Sequence, residues 1–475
     1  MSPSDKPFDE ERYKALMDGH AIKEKSIQEV LGNKDYRIDS QFWTTSICKN
    51  DNLRYSKIGE LILESQYGIS VDMNTDKRGY PIFRMNELHD MLMDLSVEKY
   101  ADISPKEYQV FSLNDGDVLF NRTNSYEWVG RTAVYYKNNN TPFTYASYLV
   151  KFVTDRARLL PECLTAFLSC KYGVTAIKAR ARQSINQTNV NPEEVKEIEM
   201  PLFSRAFQES LRDLFVRANA NRAEADIVYN QANTILNKSI NCVNASSAAI
   251  SVKPLSNSFL QSGRLDAEYY QPKYDVLNDL LKIKHKKLVE LAYVDAGEFV
   301  EETKYGEIGV PYVRGSNITN SVIDICNSTK VNVNINQYNH ICKNDLAFAM
   351  IGSVGNVAIN LDDECIVSNN LGALRPFDKN MSYYLLVYLN SRIGQLFFEK
   401  YQTRTAQPKI RREDVENFIV PLIDDNDIKE ISEAVSQSFD LRRETKRLLD
   451  LAVKAVEIAI ETDENIAMNW LQAQI

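Results

Sequence analysis

The chain contains the same succession of short segments twice, with the copies about 220–230 residues apart. The pairs are Arg37-Ile38-Asp39 with Arg264-Leu265-Asp266, residues 81–86 with 311–317, residues 117–120 with 345–348, and residues 200–202 with 420–422. A period this long indicates a duplicated domain, because solenoid repeats are only about 20–50 residues long. Two similar modules on one chain predict two similar tasks performed at two places.

The length of 475 residues suits two or three domains, and a composition of 44% hydrophobic and 25% charged residues is that of a folded protein. No apolar run approaches the roughly 20 residues that span a bilayer. The N-terminus lacks the apolar core of a secretory signal. The seven cysteines form an odd set without Cys-x-x-Cys spacing. Neither a disulfide framework nor a metal site is therefore predicted, and a cytoplasmic protein is expected.

The pattern along the chain predicts an α+β protein in which two similar modules alternate with two long helices. A helix is predicted over residues 162–182, after several short strands, and residues 241–257 have the Ser, Ala and Asn content of a linker. The predicted divisions are an N-terminal helical extension (1–36), a first module (37–202), a first helix with linker (203–253), a second module (254–422) and a second helix with tail (423–475).

Each long helix carries an apolar stripe with alternating spacings of three and four, the pattern of a coiled coil. One stripe alone would also suit a helix that lies on its own domain. Two matching stripes favour helices that pack on each other, and an antiparallel pair with pseudo-twofold symmetry is expected. The expected seam residues are Leu211, Leu214, Ala218, Ala225, Val228 and Ile235 in the first helix, and Ile431, Leu441, Leu448 and Ala452 in the second.

Catalytic motifs are absent from the sequence. It contains no Gly-x-Ser-x-Gly elbow, no Walker loop and no His-Glu-x-x-His pair. Residues 352–355 lack the Lys-Ser/Thr of a phosphate loop, so a tight turn is the better interpretation. Asn191-Pro192-Glu193-Glu194 lacks the aromatic residue with which an adenine methyltransferase stacks a flipped base. The chain is therefore predicted to have no catalytic residues and to bind no cofactor itself.

A segment rich in Arg, Lys, Gln and Asn occupies an equivalent place near the end of each module. Arg and Lys bind phosphates and read guanine, whereas Gln and Asn can pair with adenine. One such run is usually a solvated helix end, but its recurrence favours a shared anionic partner, and a net charge of −9 does not exclude a local basic footprint. The candidates are Arg180, Arg182, Gln187 and Asn189 in the first module and Arg404, Gln407, Lys409, Arg411 and Arg412 in the second.

Weaker candidates lie upstream, beside predicted strands. Basic and amide side chains follow a short strand in both modules, which would suit the same kind of contact. In contrast, the lysines at 282–287 are better explained as a solvated helix end. The upstream candidates are Arg78, Arg84, Asn86 and Arg122 in the first module, and Arg314 and Asn317 in the second.

Two further segments in the same order complete a recognisable pattern. They are Gly116-Asp117-Val118-Leu119-Phe120-Asn121-Arg122 with Val129-Gly130-Arg131, and Asn344-Asp345-Leu346-Ala347-Phe348 with Gly352-Ser353-Val354-Gly355-Asn356. With the closing Met200-Pro201-Leu202 and Val420-Pro421-Leu422 and the attached helices, the chain resembles the specificity subunit of type I restriction-modification systems over residues 37–460. Tyr126-Glu127-Trp128 departs from the Gly-Ser-x-Gly turn that is more usual there.

The resemblance implies a non-catalytic, DNA-binding subunit of a phage-defence restriction system. Each module would be a target recognition domain that reads one half of a bipartite site in double-stranded DNA. The paired helices would set the spacer and dock two methyltransferase subunits, which would bind S-adenosylmethionine. Restriction and translocase subunits would join for cleavage. Two alternatives stay open at this point: an adaptor that bridges protein partners without reading DNA, and a stand-alone enzyme that modifies nucleic acid.

Overall fold

The structure, a computed structural model, describes residues 9–19, 23–32, 36–45, 49–185, 187–240, 250–403 and 406–475. Of the predicted linker at 241–257, residues 250–257 are therefore described and residues 241–249 lie outside the description. The chain divides into two compact units, one of Met1–Arg222 with Arg442–Ile475 and one of Ala223–Leu441. Each unit contains one module and a part of each long helix. The domain bounds drawn from the sequence stay a prediction.

The described part of the first half contains the following elements. The helices are α1 (Glu10–Met17), α2 (Ile27–Gly32), α3 (Ser40–Thr44), α4 (Pro105–Val110), α5 (Pro161–Ser169), α6 (Lys171–Arg180), α7 (Pro192–Lys196) and α8 (Arg205–Ile240). The strands are β1 (Tyr55–Lys57), β2 (Ile62–Tyr67), β3 (Met73–Asn74), β4 (Tyr80–Phe83), β5 (Leu88–His89), β6 (Leu92–Met93), β7 (Tyr100–Ala101), β8 (Val118–Asn121), β9 (Thr123–Asn124), β10 (Thr132–Val134), β11 (Thr144–Tyr145), β12 (Leu149–Thr154), β13 (Arg182–Gln183), β14 (Thr188–Asn189) and β15 (Glu199–Pro201).

The second half continues with a similar succession. Its helices are α9 (Phe259–Ser262), α10 (Ser382–Asn390), α11 (Arg392–Tyr401), α12 (Arg412–Glu416), α13 (Asp425–Glu461) and α14 (Glu464–Gln474). Its strands are β16 (His285–Lys287), β17 (Ala292–Ala296), β18 (Tyr305–Gly306), β19 (Val310–Val313), β20 (Ile318–Thr319), β21 (Val322–Ile323), β22 (Thr329–Val331), β23 (His340–Ile341), β24 (Leu346–Ala349), β25 (Val357–Ile359), β26 (Cys365–Val367), β27 (Leu371–Pro376) and β28 (Ile419–Pro421).

The two modules share their sheet topology. The main sheet of the first has the strand order β2-β12-β8-β10-β6-β5, and that of the second has β17-β27-β24-β25-β21-β20, with equivalent strands in the same order. In each sheet the central strands are antiparallel, and one outer pair is parallel (β10 with β6, β25 with β21). A second sheet in each module again uses equivalent strands, β11-β4-β7-β3 in the first and β23-β26-β19-β22-β18 in the second, where β23 is an additional edge strand. The duplication predicted from the sequence is therefore a duplication of fold.

The helix predicted over residues 162–182 is broken into α5 and α6, and this prediction is corrected. Cys170 ends one helix and begins the next with an extended backbone, and Ser391 does the same between α10 and α11. Three residues later, a Cβ on Gly173 would approach the Phe167 carbonyl oxygen to 2.0 Å. Glycine thus permits a sharp turn that a helical hydrophobic pattern cannot reveal. The turn fixes the direction of α6, which leads into the basic segment at residues 180–189.

The long helices pack on each other in antiparallel fashion within each unit, as predicted. In the second unit, Ser438 Oγ donates a 2.7 Å hydrogen bond to the Ala225 carbonyl, and Ser239 Oγ lies 2.6 Å from Asp427 Oδ2. In the first unit, Thr445 Oγ1 donates to the Ala218 carbonyl at 3.2 Å. Such direct contacts of a side chain with the opposite backbone require small residues between the helices.

The expected seam residues are mostly inside these helix pairs. Ile235 and Leu441 are only half-buried, and Leu236 is fully buried beside Ile235. A straight α-helix drifts against a strict seven-residue repeat, so the buried position moves by one residue toward the end of α8. The buried members are Leu211, Leu214, Ala218, Ala225, Val228, Ile431, Leu448 and Ala452. The pseudo-twofold symmetry stays a prediction.

Candidate nucleic-acid interface

In the first module, the basic segment that contains Arg182, Gln187 and Asn189 forms β13 and β14. These strands belong to a small sheet with the strand order β13-β14-β9. Arg182 pairs with Asn189 across the hairpin, and Asn189 pairs with Thr123 of β9. The Asn189 Oδ1 accepts a 2.6 Å hydrogen bond from Thr123 Oγ1. Gln187 is exposed in the turn of the hairpin, next to position 186, which lies outside the described residues. Arg182 Nη2 lies 3.5 Å from Glu194 Oε1, but the Arg182 side chain remains 49% exposed, so the hairpin still has a guanidinium and an amide that solvent can reach.

The same sheet brings Arg122, an upstream candidate, to the later segment. Its carbonyl oxygen accepts a 2.9 Å hydrogen bond from the Val190 backbone N–H, which follows β14 directly. Its guanidinium carbon lies 5.2 Å from the centre of the Tyr67 ring, and its Nε is buried without a hydrogen-bond partner. Residues from two distant parts of the sequence thus share one surface of the first module.

Arg180 differs from its neighbours because its side chain turns inward. Its Nη1 donates a 2.9 Å hydrogen bond to the Ala176 carbonyl, and its guanidinium lies 5.7 Å from the Phe42 ring. Burial lowers the pKa of Arg180, which the carboxylate of Glu194 only partly offsets. A guanidinium in this position is less available to a phosphate than that of Arg182.

Arg37, the first residue of the predicted first module, holds the end of α6. The Arg37 Nη1 donates a 2.8 Å hydrogen bond to the carbonyl of Arg180, the last residue of that helix. The same guanidinium binds both oxygens of Asp39, at 2.7 and 3.0 Å, and contacts buried Glu194 at 3.4 Å. Burial alone would raise the pKa of Asp39, but the hydrogen bonds from Arg37 and from the Phe42 backbone outweigh it and lower the pKa. We name this arrangement the first arginine clamp.

An equivalent clamp holds the end of α11. Arg264 Nη1 donates a 3.1 Å hydrogen bond to the carbonyl of Tyr401, the last residue of that helix. Its Nε and Nη2 bind the two oxygens of Asp266 at 2.8 and 2.7 Å. These hydrogen bonds lower the pKa of Asp266. The positive guanidinium thus satisfies the free carbonyls at a helix C-terminus, where cations are favoured.

In the second module, the candidate segment forms a loop that closes on itself. The Thr403 backbone N–H donates to the Lys409 carbonyl at 2.8 Å, and the Lys409 N–H donates to Thr403 Oγ1 at 3.1 Å. Lys409 also forms a β-bridge with Ile351. Gln407 and Lys409 are exposed, whereas Arg404 lies outside the described residues. The loop takes the place that the β13–β14 hairpin occupies in the first module.

Arg411 and Arg412 are paired with carboxylates at the start of α12. Arg411 binds Asp414 through two 2.8 Å contacts, yet its side chain remains 75% exposed. Arg412 contacts Glu416 at 3.2 Å and Asp295 at 3.7 Å. Surface pairs of this kind contribute little stability. A phosphate could therefore replace Asp414 at Arg411, whereas Arg412 lies between several carboxylates and is a weaker candidate.

The upstream arginines also have roles inside the fold. Arg84 Nη2 donates to Glu87 Oε1 at 2.8 Å, and Arg314 Nη2 donates to the Tyr305 hydroxyl at 2.6 Å. The Asn317 Oδ1 accepts from the Arg314 backbone N–H, just as Glu87 Oε2 accepts from Arg84. The residue equivalent to Asn317 is therefore Glu87, and the predicted match with Asn86 is corrected.

Three of these upstream residues differ in their accessibility. Asn317 is buried, and its Nδ2 donates to the Asn327 carbonyl at 3.1 Å, so its amide is already used by the fold. Asn86 and Arg78 are exposed. Arg78 lies in a turn with only long contacts to Asp76 and Asp102, at 3.8 and 4.0 Å. Arg78 is thus the more accessible cation of the upstream set in the first module.

The loop at 125–130, which follows β9, is not among the binding residues predicted from the sequence. Trp128 is 41% exposed, and the Arg131 guanidinium lies 3.3 Å from its ring centre. Tyr126 is also exposed, and Lys178 Nζ lies 4.8 Å from its ring. Exposed aromatic rings beside cations are typical of binding surfaces. The signal was the unusual Tyr126-Glu127-Trp128 sequence, which was treated only as a departure from a pattern.

None of the described helices is long and apolar enough to cross a membrane.

Residues 277–450 match the model of the type I restriction modification DNA specificity domain. The chain is 27% identical over 167 residues to a putative type I restriction enzyme MjaX specificity subunit of Methanocaldococcus jannaschii, covering 32% of this chain and 39% of that protein. It is 25% identical over 174 residues to the EcoKI specificity subunit of Escherichia coli K12, covering 36% of each. The matches thus span less than two fifths of these relatives.

Solved structures of specificity subunits align with most of the chain. The HsdS subunit of Thermoanaerobacter tengcongensis aligns with 87% of this chain and 98% of its own, at 14% identity and a TM-score of 0.29. The S subunit of a type I system of M. genitalium aligns with 89% and 96%, at 15% identity and a TM-score of 0.36. The domain match in the second half and the curated relatives agree with the resemblance predicted from the sequence: residues 277–450 match a type I restriction modification DNA specificity domain, and the chain is similar to specificity subunits of type I restriction enzymes.

Proposed function

We propose that this chain is the non-catalytic subunit that selects the DNA sequence in a type I restriction-modification complex. Each module would read one half of a bipartite site. The observation that carries this proposal is the duplicated arrangement in which an arginine clamp holds a helix end and an exposed basic segment comes next. The clamps bind the carbonyls of Arg180 and Tyr401. Arg182 comes two residues after the first of these, and Lys409 comes eight residues after the second.

The charge distribution is compatible with this function despite the net charge of −9. Arg182, Lys409 and Arg411 are exposed at equivalent places of the two modules, where they would contact phosphates or base edges. An acidic surface elsewhere would repel non-specific DNA. Part of the phosphate contacts would come from methyltransferase subunits that enclose the duplex.

We further propose that α8 and α13 set the spacer between the half-sites and dock two methyltransferase subunits. They contain 36 and 37 residues. A 36-residue helix is about 54 Å long at ~1.5 Å per residue, which corresponds to roughly 16 base pairs of DNA at ~3.4 Å each. Such a length suits two short half-sites that flank an unread spacer. S-adenosylmethionine would bind the methyltransferase subunits, and restriction and translocase subunits would join the same assembly.

Methylation mapping tests the proposal. The chain would be expressed with its methyltransferase subunit in a methylation-free host, and modified sites would be read by methylation-sensitive sequencing. We expect one bipartite motif, lost when either partner is omitted. DNA binding measured with and without the methyltransferase separates this function from an adaptor that bridges proteins. Methylation by the chain alone, persisting through further purification, would instead establish a stand-alone enzyme.

An insertion tests the role of the helices. Four extra residues within α8 add about 6 Å of helix, or roughly two base pairs of DNA length, and also rotate the part of the helix beyond the insertion. The half-site sequences should then persist while the preferred spacer changes. A spacer that does not change would show that the helices do not set the distance.

A further inference from the structure

Three side chains with metal-binding atoms converge on the second sheet of the second module. His340 and Cys342 lie two residues apart, so they point to the same face of the extended chain at β23. Ile341 pairs with Cys365 of β26 in an antiparallel register, which places Glu364 opposite Cys342. The pairing of the strands, and not chance contact of flexible loops, therefore brings the imidazole, the thiol and the carboxylate together.

The spacing of the three groups suits a small cation. One ligand atom from each of His340, Cys342 and Glu364 lies within 4.8 Å of the other two. The Cys342 Sγ is 3.7 Å from Glu364 Oε1. In a tetrahedral zinc site with bonds of about 2.0–2.3 Å, ligand atoms are separated by about 3.5 Å. Side-chain rotations that move the ligand atoms by about 1 Å would bring them to this separation without a change of the backbone.

Neighbouring groups hold these residues in place. The His340 Nδ1 lies 3.0 Å from the Tyr338 carbonyl oxygen, so the tautomer with its proton on Nδ1 leaves the Nε2 lone pair for a metal. Histidine ligands usually donate their other ring N–H in this way. The Cys342 backbone N–H donates to Asp345 Oδ2 at 2.8 Å, and Arg375 Nη1 donates to the His340 carbonyl at 3.0 Å.

We propose that His340, Cys342 and Glu364 bind one Zn²⁺ ion, with water as the fourth ligand. A set of nitrogen, sulfur and oxygen donors favours a borderline metal such as zinc over Mg²⁺ or Ca²⁺, which prefer oxygen alone. Binding would form a zinc–thiolate bond and release the thiol proton to solvent.

The first module does not repeat this set. Its Asn114 backbone N–H donates to Asp117 Oδ2 as that of Cys342 does to Asp345, so Asn114 and Ser112 are equivalent to Cys342 and His340. The strand registers make Pro142 the residue equivalent to Glu364. The site would therefore hold one ion per chain. The sequence has no Cys-x-x-Cys spacing and therefore did not indicate a metal site, because these ligands meet across two strands.

Metal titration of the full-length chain tests the proposal. Protein stripped with a chelator under reducing conditions would be titrated with Zn²⁺ against a chromophoric competitor. We expect one equivalent to bind, with an affinity that falls at lower pH because protons compete for the ligands. Co²⁺ would serve as a spectroscopic probe, since a thiolate ligand produces a charge-transfer band. Saturation well below one equivalent, or Co²⁺ binding without that band, would overturn the site.

Matched variants identify the ligands. Cys342→Ser and His340→Ala should each weaken Zn²⁺ binding by about 100-fold or more, and Cys342→Ser should abolish the Co²⁺ band. Cys326→Ser is the control, because Cys326 is an exposed thiol of the same module outside the cluster. Unchanged binding in both ligand variants would refute the assignment. If circular dichroism shows that the variants do not fold, the Co²⁺ spectrum of the unaltered chain still tests whether a thiolate binds the metal. The readout does not depend on DNA recognition.

Discussion

The two modules have the same strand order but present different surfaces at the place where each clamped helix ends. The first has a three-stranded sheet with Arg122 and Arg182, next to a loop with exposed Trp128. Among the described residues, the second has a β-bridge between Ile351 and Lys409 in place of that sheet, and a loop closed by Thr403. Both clamps join an arginine to the aspartate two residues later and to the last carbonyl of a helix, and the first also contacts buried Glu194. A duplicated domain can thus keep the parts that hold a helix end and change the segment after it, as two modules that read different sequences require.

The largest expected effect comes from charging the helix pair of the first unit. Leu214 is 1% exposed there, so Leu214→Asp would bury a carboxylate without a partner and cost at least about 3 kcal/mol. Trp43, Trp128 and Trp470 all belong to that unit, so tryptophan fluorescence in a urea titration reports on it. The urea concentration at the midpoint of the fluorescence transition should fall sharply.

Two variants sharpen this comparison of the units. Val216→Asp changes a neighbouring side chain of α8 that is 48% exposed, and it should leave the fluorescence midpoint nearly unchanged. Val435→Asp places the same charge in the core of the second unit, so it should lower the midpoint by circular dichroism more than the midpoint by fluorescence. An equal fall in both signals for Val435→Asp would show that the two units unfold as one.

The next effect distinguishes the two clamps. The side chains of Arg37 and Glu194 are 6% and 7% exposed, whereas those of Arg264 and Asp266 are 25% and 39% exposed. Arg37→Ala would remove one of the two arginines that contact buried Glu194, leaving the 3.5 Å contact with half-exposed Arg182, and should cost about 3 kcal/mol. Arg264→Ala should cost about 1 kcal/mol. Urea denaturation of both variants measures the difference, and equal losses would contradict the ranking by burial.

Smaller and more selective effects are expected at the basic segments. Arg182→Ala should weaken recognition of one half-site and Lys409→Ala that of the other, each by about 1–2 kcal/mol if a base or a phosphate is contacted. Lys106→Ala and Lys286→Ala are matched controls, because both lysines are exposed and belong to neither segment. Binding of the assembled complex to duplexes altered in one half-site measures the effect. A uniform loss on all duplexes would identify a phosphate contact without sequence selectivity.

The sequence predicted the parts of the fold that depend on periodicity. The seam at Leu211, Leu214 and Ala218 and the repeated Arg-x-Asp triplet could be found because regular spacing or recurrence reveals them. It did not reveal the break at Cys170, since the hydrophobic pattern continues through it. The clamp partners could not be predicted either, because Arg37 and Arg180 are distant in sequence and meet only through tertiary packing.

The sequence could identify candidate side chains by residue type, but it could not predict which of them face solvent. Arg180 and Arg182 are two residues apart, yet one is turned inward and the other is exposed. Asn317 suits adenine readout by its chemistry, but its amide is used inside the fold. A residue type indicates what a side chain could bind, whereas burial and existing partners decide whether it is available.

The smallest expected effect is a pH dependence of the clamps. The pKa values of Asp39 and Asp266 are both lowered in the folded chain. A lowered folded-state pKa stabilises the fold above the unfolded value, about 3.9, and this contribution is lost as the pH falls through the folded value. Asp39→Asn and Asp266→Asn should therefore be less stable than the original chain at neutral pH, by less than about 1 kcal/mol because both carboxylates are partly exposed. The difference should therefore shrink in urea titrations as the pH is lowered below about 3.9, because each carboxylate then becomes protonated in the folded chain as well. A difference that persists there would show that the amide disrupts the clamp by its geometry and not by its missing charge.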